Sequence, residues 1–538
     1  MPTTETVTPD QVSPDANVSQ LLQATAAKSP GFTALTVGDT RFTYAELAMR
    51  VGALANGFAA LGVVKGDRVA LMLPNTPAYV MSTYALLKLG AVVVNVSPGS
   101  QGSELAQILA DSGAAVLVSL DVFLPGLYKV LGKSPVRHLF ISSVQGLEKK
   151  LPVPEGVVAP RAFEELFKPG PPVGPSALVV ADDLAMLQYT SGATGVPKGV
   201  MLSHRNLLSS VAYTRAWMRS DEPPNAGVIC VIPFFHVFGV TVGLHLSIAK
   251  GHCMILVPRF DALDLMPLVQ LIEKQRPYSF PAVPTLFAAI VSMPSVTADT
   301  LKSIGIATSG GAALPSWVQQ KYQALTGRQI YEAYGLSEAT GGAFTVPFPE
   351  GGPAGSIGRP LPGVSARLVD LETGTREVPV GEVGELALQG GTVTRGYWHN
   401  EALTKVALRG GWLHTGDLGR RDEAGFFFIV DRRDDLIITS GHNVYPSEVE
   451  AVLARHAGVK DVVVVAAADK LRGASVVAHV VLKEGTAATR DELLGLCREN
   501  LPEFKVPRAL HFVDQLPRSP VGKTLRKPLR DKTQPVGE

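Results

Sequence analysis

Residues 68–73 and 91–96 are short runs rich in Val and Leu, and the stretch between them, residues 77–89, has helical character. A strand, a helix and a second strand in that order form a unit whose strands pair in parallel, which commits this part of the chain to an α/β fold. Residues 115–119 continue the pattern, and a second alternating region runs over residues 184–345. Helical apolar spacing marks residues 43–61 through Leu47, Val51, Leu54, Phe58 and Leu61, and a helix is expected at residues 18–29. Residues 152–175 and 350–363 are rich in Pro and Gly and read as connections, while residues 1–17 read as a loose tail. Residues 364–433 carry short strands with turns. A separate segment follows, with helices expected at residues 445–454 and 490–501 and strands at 462–467 and 476–482. At 538 residues, roughly 150 per domain leaves room for three or four domains or subdomains.

Hydrophobic residues are 46% of the chain and charged residues 18%, which supplies buried cores and excludes a disordered chain. Lys plus Arg number 49 against 48 Asp plus Glu, a net charge of +1. That balance argues against a nucleic-acid partner and against polybasic membrane binding. Cys230, Cys253 and Cys497 are widely spaced and odd in number. A disulfide framework and a cysteine zinc site are therefore disfavoured, and a reducing cytoplasm fits. The acidic, Thr/Pro-rich start has no basic or apolar run, so no secretory signal is expected. Residues 226–249 hold no Lys, Arg, Asp or Glu and are long enough to span a membrane. Pro233, His236, Gly239, Gly243 and His245 interrupt them, so a buried strand, turn and helix are expected instead.

The densest chemistry lies in Tyr189-Thr190-Ser191-Gly192-Ala193-Thr194-Gly195-Val196-Pro197-Lys198-Gly199-Val200. Glycines let backbone amides approach a phosphate, hydroxyls donate to its oxygens, and a lysine neutralises charge. Taken alone, the stretch also suits a hairpin tip. Its spacing is not that of the ordinary P-loop, and no G-x-G-x-x-G is present. A second cluster, Tyr334-Gly335-Leu336-Ser337-Glu338, puts an aromatic face, a glycine, a hydroxyl and a carboxylate in five residues. It begins like a serine-hydrolase elbow, but Ala339 stands where that motif needs glycine.

Further motifs follow in order: Gly310-Gly311-Ala312, Gly411-Trp412-Leu413-His414-Thr415-Gly416-Asp417, Asp431-Arg432-Arg433-Asp434-Asp435, Gly441-His442-Asn443-Val444-Tyr445-Pro446, and the basic loop at residues 517–523. This ordered set resembles the adenylate-forming enzymes, the superfamily of acyl-CoA synthetases, adenylation domains and luciferases, over about residues 18–530. Pro233-Phe234-Phe235-His236-Val237-Phe238-Gly239 and residues 441–448 look most like long-chain fatty-acid–CoA ligases.

The resemblance implies an α/β fold with a large N-terminal domain, residues 18–433, made of two sheet-and-helix subdomains and a small β-rich one. A mobile α+β lid, residues 434–538, would pivot at Asp434. It implies ATP/AMP binding by Thr190, Ser191, Gly192, Thr194, Gly195, Lys198, Gly310, Gly311, Ala312, Glu332, Ala333, Tyr334, Gly335, Ser337, Asp417 and Arg432. Tyr334 would stack on adenine, and Asp417 would accept from both ribose hydroxyls. Thr190 and Glu338 would hold Mg²⁺, a hard cation that needs oxygen ligands. Lys523 would stabilise charge as the carboxylate attacks the α-phosphate. Phe235 and His236, with Gly311 and Gly335, would line the acyl pocket, and Asp434, Ser440, Gly441 and His442 would mark the hinge and the CoA path.

The implied enzyme is an AMP-forming acid–thiol ligase whose partners are a fatty acid, ATP and CoA. Peripheral membrane contact and a homodimer stay open. So do an acyl-AMP ligase that loads a carrier protein, a ligase for another acid, and a non-catalytic AMP-binding sensor. Ala193, Ser337, Asp434 and His442 depart from the family's commonest residues, which bears on rate and acyl preference.

Overall fold

The computed structural model describes the chain apart from residues 1–11, 144–151, 172, 175–176, 192–195, 219–221, 260, 262–263, 519–523 and 536–538, and apart from the Ser191 side chain. Gly192, Ala193, Thr194, Gly195 and Lys523 thus lie outside the described residues. The chain divides into two compact units, Met1–Ala366 with Leu388–Leu413, and Arg367–Ala387 with His414–Glu538.

The first unit holds two large sheets. One is ordered Pro160–Ala162, His138–Ser142, Val116–Leu120, Arg68–Met72, Val92–Asn95, Leu184–Ser191, Pro197–Ser203. Its pairings are parallel except the last, where Leu184–Ser191 and Pro197–Ser203 run antiparallel. The other runs from Arg359–Pro360 through Phe344–Thr345, Ile330–Tyr334, Ile306–Gly310, Ser279–Ala282, Gly227–Cys230, Cys253–Leu256 and Thr33–Val37 to Thr40–Thr43. Its inner pairings are parallel, as strands joined by crossover helices must be.

The expected helices form where local chemistry starts them. Thr43 and Glu46 make a reciprocal capping box ahead of Tyr44–Ala60. Thr76 caps Pro77–Leu89, with Pro77 in the first turn, where its missing N–H costs nothing. Nearly every residue of Pro77–Leu89 is buried, as a helix wrapped on all sides by protein must be. Its Tyr79, Tyr84 and Leu87 share one core with Val69, Val93 and Met186 of the first sheet and Cys230, Met254 and Leu256 of the second.

Residues 226–249 form the expected strand, turn and helix, Gly227–Cys230 leading to Gly239–Leu246 and Ser247–Lys250. The middle piece has π rather than α geometry, which apolar spacing does not distinguish. Among the described residues, no helix is long and apolar enough to cross a membrane.

In the second unit, strands Val459–Asp469, Gly473–Leu482 and Ala509–Phe512 form a sheet. Helices Pro446–Leu453 and Arg490–Asn500 bury Val449, Val452, Leu453, Leu493 and Cys497 against Val464, Val476 and Val480. Both long strands outrun their apolar cores, because ladder pairing continues to Asp469 and Gly473 at the turn. A hairpin of Ile437–Thr439 and His442–Val444 precedes them. The α/β reading therefore holds in the first unit, and in the second the two long strands run antiparallel with helices packed against them, the α+β arrangement expected there.

Candidate active site

Thr190 stands two residues past Gln188 on strand Leu184–Ser191, directly across from Lys198 of the antiparallel partner. The Tyr189 hydroxyl donates to Asp111 Oδ2 at 2.5 Å. Burial, reinforced by that carboxylate, pushes the Tyr189 phenol up, so it stays a neutral donor. This strand pair extends to a third segment. Val200 bridges Tyr397, Met201 N donates to Gly396 O at 3.0 Å, and Trp398 N donates to Gly199 O at 2.7 Å.

That third segment reaches Glu338. The Tyr397 hydroxyl donates to Glu338 Oε1 at 2.7 Å, and Thr394 N donates to Glu338 O at 2.8 Å. The Thr394 hydroxyl donates in turn to Met201 O at 2.6 Å. Glu338, far from Lys198 in sequence, is thus tied to the strand pair that carries Thr190 and Lys198. Hard oxygen donors on Glu338 and Thr190 have the chemistry Mg²⁺ requires, and Tyr397 orients the carboxylate.

The turn at residues 334–341 folds back on itself. Gly341 N donates to Leu336 O and Ala343 N to Tyr334 O. A Cβ on Gly335 would sit 1.2 Å from Gly341 O, so only glycine fits there. The Tyr334 ring meets Phe344 edge-on at 5.8 Å, and Ser337 is buried. Gly310 ends its strand opposite Ala333, and a Cβ on it would lie 3.2 Å from both Ala333 O and the Phe238 ring. Gly311 follows with φ +89 and Ala312 is exposed. Glu332 Oε2 accepts from Leu314 N at 3.1 Å, and burial raises its carboxyl above the usual range.

The aromatic turn lies beside these groups. Phe238 touches Gly310, and Thr241 Oγ1 would lie 2.7 Å from a Cβ on Gly341. His236 Nδ1 accepts from Phe238 N at 3.2 Å, so in its neutral form the ring carries its proton on Nε2. Phe235 and His236 are half-buried.

The second unit groups the other expected residues. Asp417 and Arg432 are cross-strand partners, with Arg432 Nε 2.8 Å from Asp417 Oδ1. Buried Glu385 braces the preceding turn: it accepts from Gly416 N at 3.2 Å and pairs with Arg433 at 2.7 Å and His414 at 3.4 Å. Asp434 is exposed, and its carbonyl accepts from Arg530 at 3.2 Å. Ser440 and Gly441 form the two-residue tip of the Ile437–Val444 hairpin, with φ 49 and 80. That is the backbone sense a tight hairpin demands. His442 stacks on Phe504 at 4.5 Å.

The structure therefore gathers Thr190, Lys198, Glu338, Ser337, Tyr334, Gly310 and Phe238 within one unit, and Asp417, Arg432, Asp434 and His442 within the other. Sequence reasoning missed Tyr397 and Glu385. Both work through partners distant in the chain, and no local spacing marks them.

The AMP-binding enzyme family matches residues 22–398, and the AMP-binding enzyme C-terminal domain matches residues 448–523. A long-chain-fatty-acid–CoA ligase from Bacillus subtilis is 37% identical, covering 96% of this chain and 95% of its own. ATP-bound MatB from Rhodopseudomonas palustris superimposes with a TM-score of 0.86 at 29% identity, covering 96% of this chain and 99% of its own. An anthranilate CoA ligase in complex with anthranoyl-AMP superimposes with a TM-score of 0.86 at 26% identity, covering 98% and 99%. With two family matches in sequence order and a relative alike over nearly the full length, the chain belongs to the AMP-binding enzyme family, among the AMP-forming acid–CoA ligases.

Proposed function

We propose that this protein activates a long-chain fatty acid with ATP and passes it to CoA. A carboxylate oxygen attacks the α-phosphorus of ATP and pyrophosphate leaves, giving acyl-AMP. The CoA sulfur then attacks the acyl carbonyl, the thiol proton passes to solvent, and AMP leaves. The observation that carries the reading is the tie of Glu338, through Tyr397, to the strand pair bearing Thr190 and Lys198. It puts a carboxylate, a hydroxyl and an ammonium on one framework, as a metal-bound triphosphate requires. The full-length likeness to a long-chain ligase supports the choice of acid.

In this reading Glu338 and Thr190 would hold Mg²⁺, which when bound would supply screening of the triphosphate charge. Lys198 and Lys523 neutralise phosphate oxygens, with Lys523 acting at the attacking carboxylate. The amides and hydroxyls of Ser191, Gly192, Thr194 and Gly195 bind the nucleotide phosphates in this reading. Tyr334 stacks on adenine beside Gly310, Gly311, Ala312, Glu332 and Ala333, and Ser337 lies next to the metal carboxylate. Asp417 and Arg432 take the ribose. Phe235 and His236 face the acid. Residues 434–538 act as a lid that turns about Asp434 between the two steps, bringing Ser440, Gly441 and His442 to the thiol path.

Carboxylate-dependent ATP–pyrophosphate exchange tests this directly. Wild type exchanges only with acid present, and a non-catalytic sensor would not exchange at all. Asp434→Pro, which fixes φ near −65°, should trap the lid in one arrangement; if that is the adenylation one, exchange persists while thioester formation collapses. Normal rates in both half-reactions of that variant would mean that the lid does not pivot at Asp434.

A further inference from the structure

The turn after strand Gly227–Cys230 is held from the opposite sheet by a buried chain of amides and one phenol. Asn75 Nδ2 donates to Cys230 O at 2.7 Å and Ile232 O at 2.9 Å, while its Oδ1 accepts from Phe234 N at 2.7 Å. The Tyr79 hydroxyl shares its proton between Phe234 O at 2.8 Å and Asn95 Oδ1 at 2.7 Å. Asn95 Nδ2 donates to Gln188 Oε1 at 2.9 Å, and Gln188 Nε2 donates to Phe235 O at 2.6 Å. All four side chains are at most 3% exposed. Main-chain carbonyls only accept, so the contacts at both ends fix which way each amide points.

A buried polar network is costly unless each member is satisfied, and here its contacts converge on one short piece of backbone. Asn95 and Gln188 are neighbours on paired parallel strands. Two residues beyond Gln188, on the same strand face, stands Thr190. The strand that presents Thr190 and the turn that presents Phe235 and His236 therefore share a rigid connection through one side chain.

We propose that Gln188 is a positioning residue: its amide locks the Phe235 carbonyl to the strand ending at Thr190, setting the register between bound acid and bound nucleotide. This rests on the reading of the site given above. It predicts that loosening the lock moves the acid relative to the α-phosphate and leaves nucleotide binding in place.

Gln188→Glu keeps the shape and the acceptor facing Asn95, and sets a carboxylate oxygen against the Phe235 carbonyl in place of the N–H. Acid-dependent exchange should fall by roughly 10–100-fold in kcat, as small misplacements of reacting groups do. The KM for ATP should stay within about twofold of wild type, since ATP binding is not what the lock controls. Tyr79→Phe removes only the hydroxyl, whose proton is shared between Phe234 O and Asn95 Oδ1, leaves the Gln188 amide in place, and is the gentler variant. It should show the same split with roughly a 2–10-fold loss, the worth of one hydrogen bond.

Melting temperatures are measured on both proteins, and if Gln188→Glu does not fold, Tyr79→Phe decides. Folded variants with wild-type kcat, or with ATP KM rising as far as kcat falls, overturn the proposal. A wild-type protein that exchanges with no acid would instead overturn the ligase reading, and this proposal with it.

Discussion

Tyr397 donates to Glu338 Oε1, so removing either group should disturb metal-dependent chemistry to different depths. Glu338→Ala deletes the carboxylate, and acyl-AMP formation should fall by roughly 10²–10³-fold, as loss of one electrostatic stabiliser does. The Mg²⁺ concentration needed for half-maximal rate should rise. Tyr397→Phe keeps the carboxylate and loses one hydrogen bond, so a drop of roughly 2–10-fold with a smaller rise in Mg²⁺ requirement is expected. Rates measured across a magnesium titration check both, and an unchanged requirement in both variants would take the metal away from Glu338. Glu338 was legible because it sits in a five-residue motif. Tyr397 was not, since its role arises only when Val200 pairs with it across the fold. Gln188 and Asn95 did leave a trace, each a lone amide inside an apolar strand, and a buried polar residue is the informative kind.

At the scale of elements, Gly335 and Gly441 are needed for different reasons, and alanine should separate them. A Cβ on Gly335 meets the Gly341 carbonyl at 1.2 Å, so the whole turn must move. Gly335→Ala should cost about 3 kcal/mol or more, or prevent folding. Gly441 has open space around its Cβ position and φ of 80, so Gly441→Ala should cost only about 1–2 kcal/mol, the strain of a left-handed residue. Urea denaturation of the two variants measures the order, and a costlier Gly441→Ala would contradict this account of the two turns. Helices with strong start signals, such as Tyr44–Ala60 behind Thr43, could be placed from sequence within a residue or two. The π geometry of Gly239–Leu246 could not, because it depends on packing. A Cβ on Gly239 would lie 2.1 Å from the Pro233 carbonyl, a contact made only once the turn has closed.

At the scale of the whole molecule, the parallel pairing of strands and the set of motifs were legible because strand–helix alternation and ordered spacing are local signals that add up along a chain, whereas the order of strands across each sheet was not. His245 lies in a stretch expected to be buried, but the burial of His204 leaves no local signal, since burial is a property of the assembled core. Burial holds His204 down to about 4 and His245 down to about 3, against 6.5 for a free imidazole. Between those values the unfolded chain binds more protons than the folded one. Stability is therefore retained above about pH 6.5 and lost as pH falls toward 4. Urea midpoints should be lower at about pH 5.5 than at about pH 7.5, with a smaller difference in His245→Leu. An equal difference in that variant would assign the acid sensitivity to other groups. The central claim, a long-chain acid joined to CoA through acyl-AMP, is tested most directly by one measurement on wild type. AMP and thioester are quantified with ATP, Mg²⁺, CoA and straight-chain acids from acetate upward. The account predicts one AMP per thioester and a kcat/KM that climbs by up to about fourfold for each added CH₂ that is buried. AMP release that ignores CoA, or a rate that ignores chain length, would contradict it.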